Sequence, residues 1–91
     1  METTGPVKIN IMGMELEAWE YKSCVAEIGY GDDWATIYNI ESLERRKGHA
    51  QELCAIMQKY YESIGKQFAS SVALHPGMKA ILTKLNIKEY D

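Results

Sequence analysis

Val7, Ile9 and Ile11 alternate with Lys8 and Asn10, and that period of two is the pattern of a half-buried β-strand. The residues ahead of it, as far as Gly5-Pro6, are expected to form a short flexible lead. Gly13 breaks the run. Glu15-Leu16-Glu17-Ala18-Trp19 then alternates again, which predicts a hairpin in preference to the short helix that the same residues could form. Cys24, Ala26, Ile28 and Tyr30 share one face of a further strand, and Gly31-Asp32-Asp33 supplies the backbone freedom of a tight turn. Trp34, Thr36, Tyr38 and Ile40 alternate with Ala35, Ile37 and Asn39. Both sets are apolar enough to predict a central strand covered on both faces.

Beyond Glu41-Ser42-Leu43-Glu44 the period becomes helical. Ala50, Leu53, Met57, Tyr60 or Tyr61, and Ile64 recur at steps of three and four, while Gln51, Glu52, Gln58, Lys59 and Glu62 fill the opposite face. Gly65 stands where a C-cap glycine belongs, and Gln67 to Leu74 resumes an extended character. Pro76 suits the first turn of a second helix, because the amide hydrogen it lacks has no acceptor there. Met78, Ile81, Leu82 and Leu85 form that helix's apolar stripe. Asn86 can end it in a left-handed conformation, and Ile87 to Tyr90 adds a short final strand. The expected fold is α+β: a mixed, mainly antiparallel central sheet, a long helix after the central strand and a second, C-terminal helix.

Ninety-one residues accommodate one domain, 1–91, and leave no room for a second. With 46% hydrophobic and 25% charged residues the chain has the composition of a globular protein rather than a disordered one. A net charge of −3 lacks the broad positive footprint that nucleic acid requires, so nucleic acid is not expected as the principal partner. No apolar run approaches the roughly 20 residues that span a bilayer, and Met1-Glu2-Thr3-Thr4 lacks the basic-then-apolar order of a signal peptide. These readings predict a cytoplasmic protein with no membrane partner. Cys24 and Cys54 have no metal-ligand partner nearby in sequence and are expected to be reduced core thiols; no metal site is expected. The aromatic set Trp19, Tyr21, Tyr30, Trp34, Tyr38, Tyr60 and Tyr61, and the methionines Met12, Met14, Met57 and Met78, are assigned to packing.

The chemistry concentrates in Arg45-Arg46-Lys47-Gly48-His49-Ala50, between the central strand and the start of the long helix. Unpaired amides and the positive end of a helix dipole favour an anion there, each exposed charge contributing about 0.3–1 kcal/mol. Gly48 and Ala50 are small enough for phosphate oxygens to reach the backbone. Arg45 and Arg46 offer forked donors and Lys47 a point charge, which suits a ligand with several phosphates. Three cations at a helix start oppose its dipole unless an anion is bound.

Arg45-x-x-Gly48-x-Ala50 resembles the signature of the GCN5-related N-acetyltransferase (GNAT) superfamily: arginine or glutamine, two residues, glycine, one residue, then glycine or alanine. The resemblance extends from Val7 to Tyr90: a strand before the signature, a helix over Gly48–Ile64, a glycine, a further strand and a closing helix follow in family order. It implies that the signature loop, with Arg45, Arg46, Lys47, Gly48, His49 and Ala50, holds the pyrophosphate of acetyl-CoA as co-substrate. It also implies that backbone at Ile40 and Ser42 brackets the pantetheine contacts. His75 falls where many members place an asparagine near the pantetheine.

Family enzymes transfer the acetyl group directly to an amine, with a base or water relay removing the amine proton and an acid, often a tyrosine, protonating the departing thiolate. The corresponding segment here is Leu82-Thr83-Lys84-Leu85-Asn86-Ile87, so leucine stands in the tyrosine's place. Tyr90, Tyr38 or water could substitute, and the acid stays unassigned. Glu41, at the end of the central strand, is the candidate base. The family's usual first strand and two helices are absent from this chain. That implies an open acceptor groove suited to an amine acceptor such as a protein lysine, or one completed by a partner subunit, as in a homodimer. The alternative is a non-catalytic acyl-CoA-binding or protein-interaction module of the same fold. A weaker third reading makes the basic loop a nucleic-acid contact, with binding that falls steeply with salt.

Overall fold

A computed structural model of the chain describes residues 3–42, 48–71 and 76–90. It is a small α+β domain: a mixed sheet in the order β1-β2-β3-β4-β5-β6, with two helices. The strands are β1 (Thr3–Ile11), β2 (Met14–Tyr21), β3 (Cys24–Tyr30), β4 (Trp34–Ser42), β5 (Gln67–Ser71) and β6 (Lys88–Tyr90); the helices are α1 (His49–Ser63) and α2 (Pro76–Leu85). The first four strands form an antiparallel meander, whereas β5 and β6 join in parallel.

Local chemistry accounts for the meander. Ile11 pairs with Met14 across the two-residue loop Met12-Gly13, and both loop residues have positive φ, 52° and 84°. That is the conformation whose twist matches two antiparallel strands. Residues 3–6 are not a loose lead, since β1 begins at Thr3 and Thr4 already pairs with Glu20. Gly65 (φ 82°) and Asn86 (φ 59°) close the two helices in the left-handed conformation that the sequence predicts.

A parallel β-α-β connection is right-handed, and two successive ones stepping in the same direction put both helices on the same face of the sheet. One core results. Trp19, Cys24, Ala26, Ile28, Ala35, Ile37 and Phe68 of the strands meet Leu53, Cys54, Met57 and Tyr61 of α1 and Leu82 of α2. The stripe on α1 is Leu53, Cys54, Met57 and Tyr61; Tyr60 and Ile64 lie outside it, at 36% and 50% exposure. The expected covering of β4 on both faces is not found, for Trp34 and Tyr38 are exposed on the face that carries no helix. Met12 and Met14 are exposed as well, so the packing role expected of them holds only for Met57 and, in part, for Met78.

Within the core lies a short polar chain. The Trp19 indole Nε1 donates to the Tyr61 hydroxyl at 3.0 Å, and that hydroxyl donates to Glu17 Oε1 at 2.7 Å. All three are buried, so each polar atom needs its partner. Burial, foremost, and the adjacent Glu17 carboxylate push the Tyr61 hydroxyl's pKa up and hold it in the donating form. Tyr61 also stacks on Phe68 of β5, with ring centroids 5.5 Å apart, so one side chain bridges β2 and β5.

Cys24 and Cys54 are free and buried, as expected. Burial pushes the Cys54 thiol up to about 12. The unfolded chain therefore ionises this thiol first, and the stability it confers, present below the ordinary thiol range, is lost as pH rises toward 12. Thiol reagents at about pH 8 are expected to modify Cys54 at the rate of global unfolding, and modification faster than unfolding, followed by mass spectrometry, contradicts the buried placement. Tyr61→Phe removes both the donor to Glu17 and the acceptor for Trp19, and is expected to cost about 1–3 kcal/mol in urea unfolding. A loss under about half a kcal/mol is inconsistent with a dry, buried Glu17.

Candidate functional site

At the carboxyl end of β4 three features converge. The first is a bulge: Glu27 pairs with Asn39 and the next residue, Ile28, with Ile37, so Tyr38 is an extra residue in β4. A bulge bends a strand and increases its twist. Gly29 of β3 makes the space, since a β-carbon there would collide with the Tyr38 ring. The second is the end of the described β4–β5 pairing. Among the described residues β4 pairs with β5 from Trp34–Gln67 to Ile37–Ser70, and at the end of that pairing the Ser71 hydroxyl donates to the Ile37 carbonyl at 3.0 Å. Among the described residues no strand lies beside Tyr38–Glu41 on the β5 side, which leaves a length of strand edge for an extended group to line.

The third is the start of α1. Gly48 is its N-cap residue, with φ 78°, and has no side chain with which to cap the helix. The first intrahelical bond is from the Glu52 amide to the Gly48 carbonyl, 3.0 Å. The amides of His49, Ala50 and Gln51 precede it and so lack an intrahelical acceptor. A β-carbon on Gly48 would meet no described atom within 4 Å.

The turn between β2 and β3 fastens this helix end. Ser23 Oγ shares a hydrogen bond with His49 Nδ1 at 3.0 Å and lies 3.5 Å from Ser42 Oγ. The Tyr21 hydroxyl donates to Glu52 at 3.1 Å, Lys22 lies 3.5 Å from the same carboxylate, and the Tyr21 ring meets His49 edge-on. Glu52, in the first turn of α1, also faces the positive end of the dipole favourably.

Of the residues singled out in the sequence, Ile40, Glu41, Ser42, Gly48, His49 and Ala50 are brought to this end of the sheet. Ile40 is half-buried and packs against the core, as does Ala50. Glu41 is exposed and opposite Val25, on the helix-free face, so its side chain and that of Ile40 leave β4 in opposite directions. Arg45, Arg46, Lys47 and His75 lie outside the described residues, as does the side chain of Tyr90. Leu82 is buried in the core. Tyr21, Lys22 and Ser23 had no signal as site residues in the sequence, and Tyr38, named there as a substitute for the missing acid, had none as a bulge. Their roles arise from pairings between positions 26 or 31 residues apart and from a strand register.

Among the described residues no group of histidine, cysteine and acidic side chains could hold a metal ion. No helix among them is long and apolar enough to cross a membrane. No family model, curated protein or solved structure matches the chain.

Because nothing crowds Gly48, the cost of replacing it comes from the backbone. Gly48→Ala is expected to lower stability by about 1–2 kcal/mol, and Gly48→Asn by less, since asparagine tolerates the left-handed region. Equal losses in thermal unfolding would show that φ is not what selects glycine here.

Proposed function

We propose that this domain binds acetyl-CoA beside Tyr38–Glu41 of β4 and the start of α1 and transfers its acetyl group to a primary amine on an open-site acceptor such as a protein lysine. The observation that carries this reading is the juxtaposition of Tyr38–Glu41, which has no described strand on its β5 side, with the glycine-started amino end of α1. An extended amide-bearing arm can hydrogen-bond along a free strand edge, and a diphosphate is stabilised by free amides at a helix start. Two such binding elements, one after the other, suit a ligand that is an amide chain at one end and a nucleotide diphosphate at the other.

The residues of Arg45-Arg46-Lys47-Gly48-His49-Ala50 then divide the work. The amides of His49 and Ala50 meet the phosphates, Gly48 keeps the approach clear, and the three cations supply counter-charge. Ser23 fixes the His49 ring and so the first turn of the helix. In the transfer, the amine nitrogen attacks the thioester carbonyl carbon, the carbon–sulfur bond breaks, and the thiolate leaves as coenzyme A. Glu41 is the candidate acceptor of the amine proton, being exposed at the strand end. The similarity of the loop to the GNAT signature supports the same reading.

A second reading, a module that binds acyl-CoA or a protein without catalysis, is favoured by one observation. Leu82, at the position where the resemblance implies a tyrosine acid, is a core residue with no proton to give.

Calorimetry with acetyl-CoA tests the binding claim. Arg45→Ala is expected to weaken binding about tenfold, which corresponds to about 1.4 kcal/mol. Gly48→Glu, which sets a carboxylate where the diphosphate belongs, is expected to abolish it. Undiminished affinity in Gly48→Glu removes the site. Binding without release of free thiol on incubation with lysine-bearing proteins or polyamines selects the second reading.

A further inference from the structure

The face of the sheet opposite the helices carries a distinct pattern of its own. Strand register assigns it Val7, Ile9, Ile11, Met14, Leu16, Ala18 and Val25 from the first three strands. Trp34 and Tyr38 lie on it too, their rings over Gly31 and Gly29. Val7, Ile11, Met14, Val25, Trp34 and Tyr38 are between 38% and 50% exposed, and they are the greater part of the large apolar side chains exposed among the described residues. Single exposed apolar residues are ordinary, but a set gathered on one face marks an interaction surface.

Acidic residues share this face. Glu20 is opposite Val25, Val25 is opposite Glu41, and Glu27 stands two residues along the strand from Val25. Three carboxylates therefore surround one exposed valine on adjacent strands, with Glu20 and Glu41 about 10 Å apart at two strand spacings. None of the three forms an ion pair or a hydrogen bond with a described residue. Like charges so placed repel one another, and a cationic partner would relieve the repulsion. The lysines of neighbouring elements turn elsewhere: Lys8 to Tyr30, Lys22 to Glu52, and Lys66 over the Tyr30 ring. Among the described residues the one cation in register with this face is Lys88, on β6 at the other side of the sheet.

We infer that the helix-free face of β1–β4 is a docking surface for a basic, amphipathic protein segment, whose apolar side chains cover Val7, Ile11, Met14 and Val25 while its lysines or arginines neutralise Glu20, Glu27 and Glu41. Charge complementarity selects this occupant. A second copy set face to face would bring the same three carboxylates to the contact, and an anionic membrane surface would be repelled by them. The surface shares Tyr38–Glu41 with the proposed coenzyme site, but Val7, Ile11, Met14, Glu20, Val25 and Glu27 lie outside that site, so peptide binding measured without acetyl-CoA tests the surface separately.

The test uses the intact chain and a synthetic peptide of about twelve residues of alternating lysine and leucine, with its alternating glutamate and leucine counterpart as control. Nuclear magnetic resonance titration is expected to shift the amides of Val7–Ile11, Met14–Glu20, Val25–Gly29 and Tyr38–Glu41, and to leave α1 and α2 unaffected. The triple variant Glu20→Gln/Glu27→Gln/Glu41→Gln is expected to bind the lysine peptide at least about tenfold more weakly and to melt at the same or a higher temperature. Glu15→Gln/Glu52→Gln/Glu62→Gln, which removes the same charge from elsewhere, is expected to retain the affinity within about twofold. Equal weakening in the two triple variants, or shifts that map to the helices, overturns the inference. So does binding of the glutamate peptide with equal affinity, or a face occupied by a second copy in sedimentation and undisplaced by the lysine peptide.

Discussion

The seating of α1 on the sheet is the constraint that governs everything else in this fold. At the carboxyl end of the helix, Tyr61 reaches across the core to Glu17 and Trp19 of β2 and stacks on Phe68 of β5. At the amino end, His49 and Glu52 are held by Ser23, Tyr21 and Lys22. The interior contact has a dry, directional hydrogen bond and the outer one is wet and adaptable, so Tyr61 sets the helix's position and the turn between β2 and β3 trims its start. Leu53, Cys54 and Met57 fill the length between these ends with apolar contact that has no preferred direction.

That seating brings the start of α1 to the end of β4 that has no described strand on its β5 side. The described pairing with β5 ends at Ile37 and the bulge at Tyr38 bends the strand, so from there to Glu41 the strand is paired with β3 on one side and with no described strand on the β5 side. Sheets rarely leave an edge open in their middle, because unpaired amides and carbonyls invite a partner. Here the opening lies at the carboxyl ends of parallel strands, the end at which α/β domains characteristically take up ligands. The same one-sided placement of the helices leaves the other face of the sheet bare, with its apolar residues and its three carboxylates.

Much of the architecture was legible along the chain. Alternation at Val7–Ile11 and at Cys24–Tyr30, the three- and four-residue steps from Ala50 to Tyr61, and Gly65, Pro76 and Asn86 as punctuation mark elements that the structure contains, because those signals act within a few residues. Where they misled, a distant neighbour was responsible. Thr3–Pro6 has no strand pattern of its own, yet it is drawn into β1 by pairing with the end of β2. The even-numbered residues of β4 look fit for burial, but whether a helix covers them depends on the hand of two crossovers. For the site, Gly48 and the residues flanking it were visible as a helix start with small side chains. Ser23 and Tyr21 were not, and Tyr38 was visible only as a possible acid and not as a bulge, since a hydroxyl, a ring and a bulge acquire these roles only from what is set against them.

The sequence by itself determined the order and type of the elements, that Gly65 and Asn86 close the helices in the left-handed region, and that Leu53 and Met57 of α1 turn inward. These depend on local sterics and on the periodicity of burial. Tertiary structure alone decided that the described pairing of β4 with β5 ends at Ile37, that Glu17 is buried against a tyrosine rather than solvated, and that Glu20, Glu27 and Glu41 gather on one helix-free face. Register and crossover hand couple residues tens of positions apart, and no local pattern of residues encodes them.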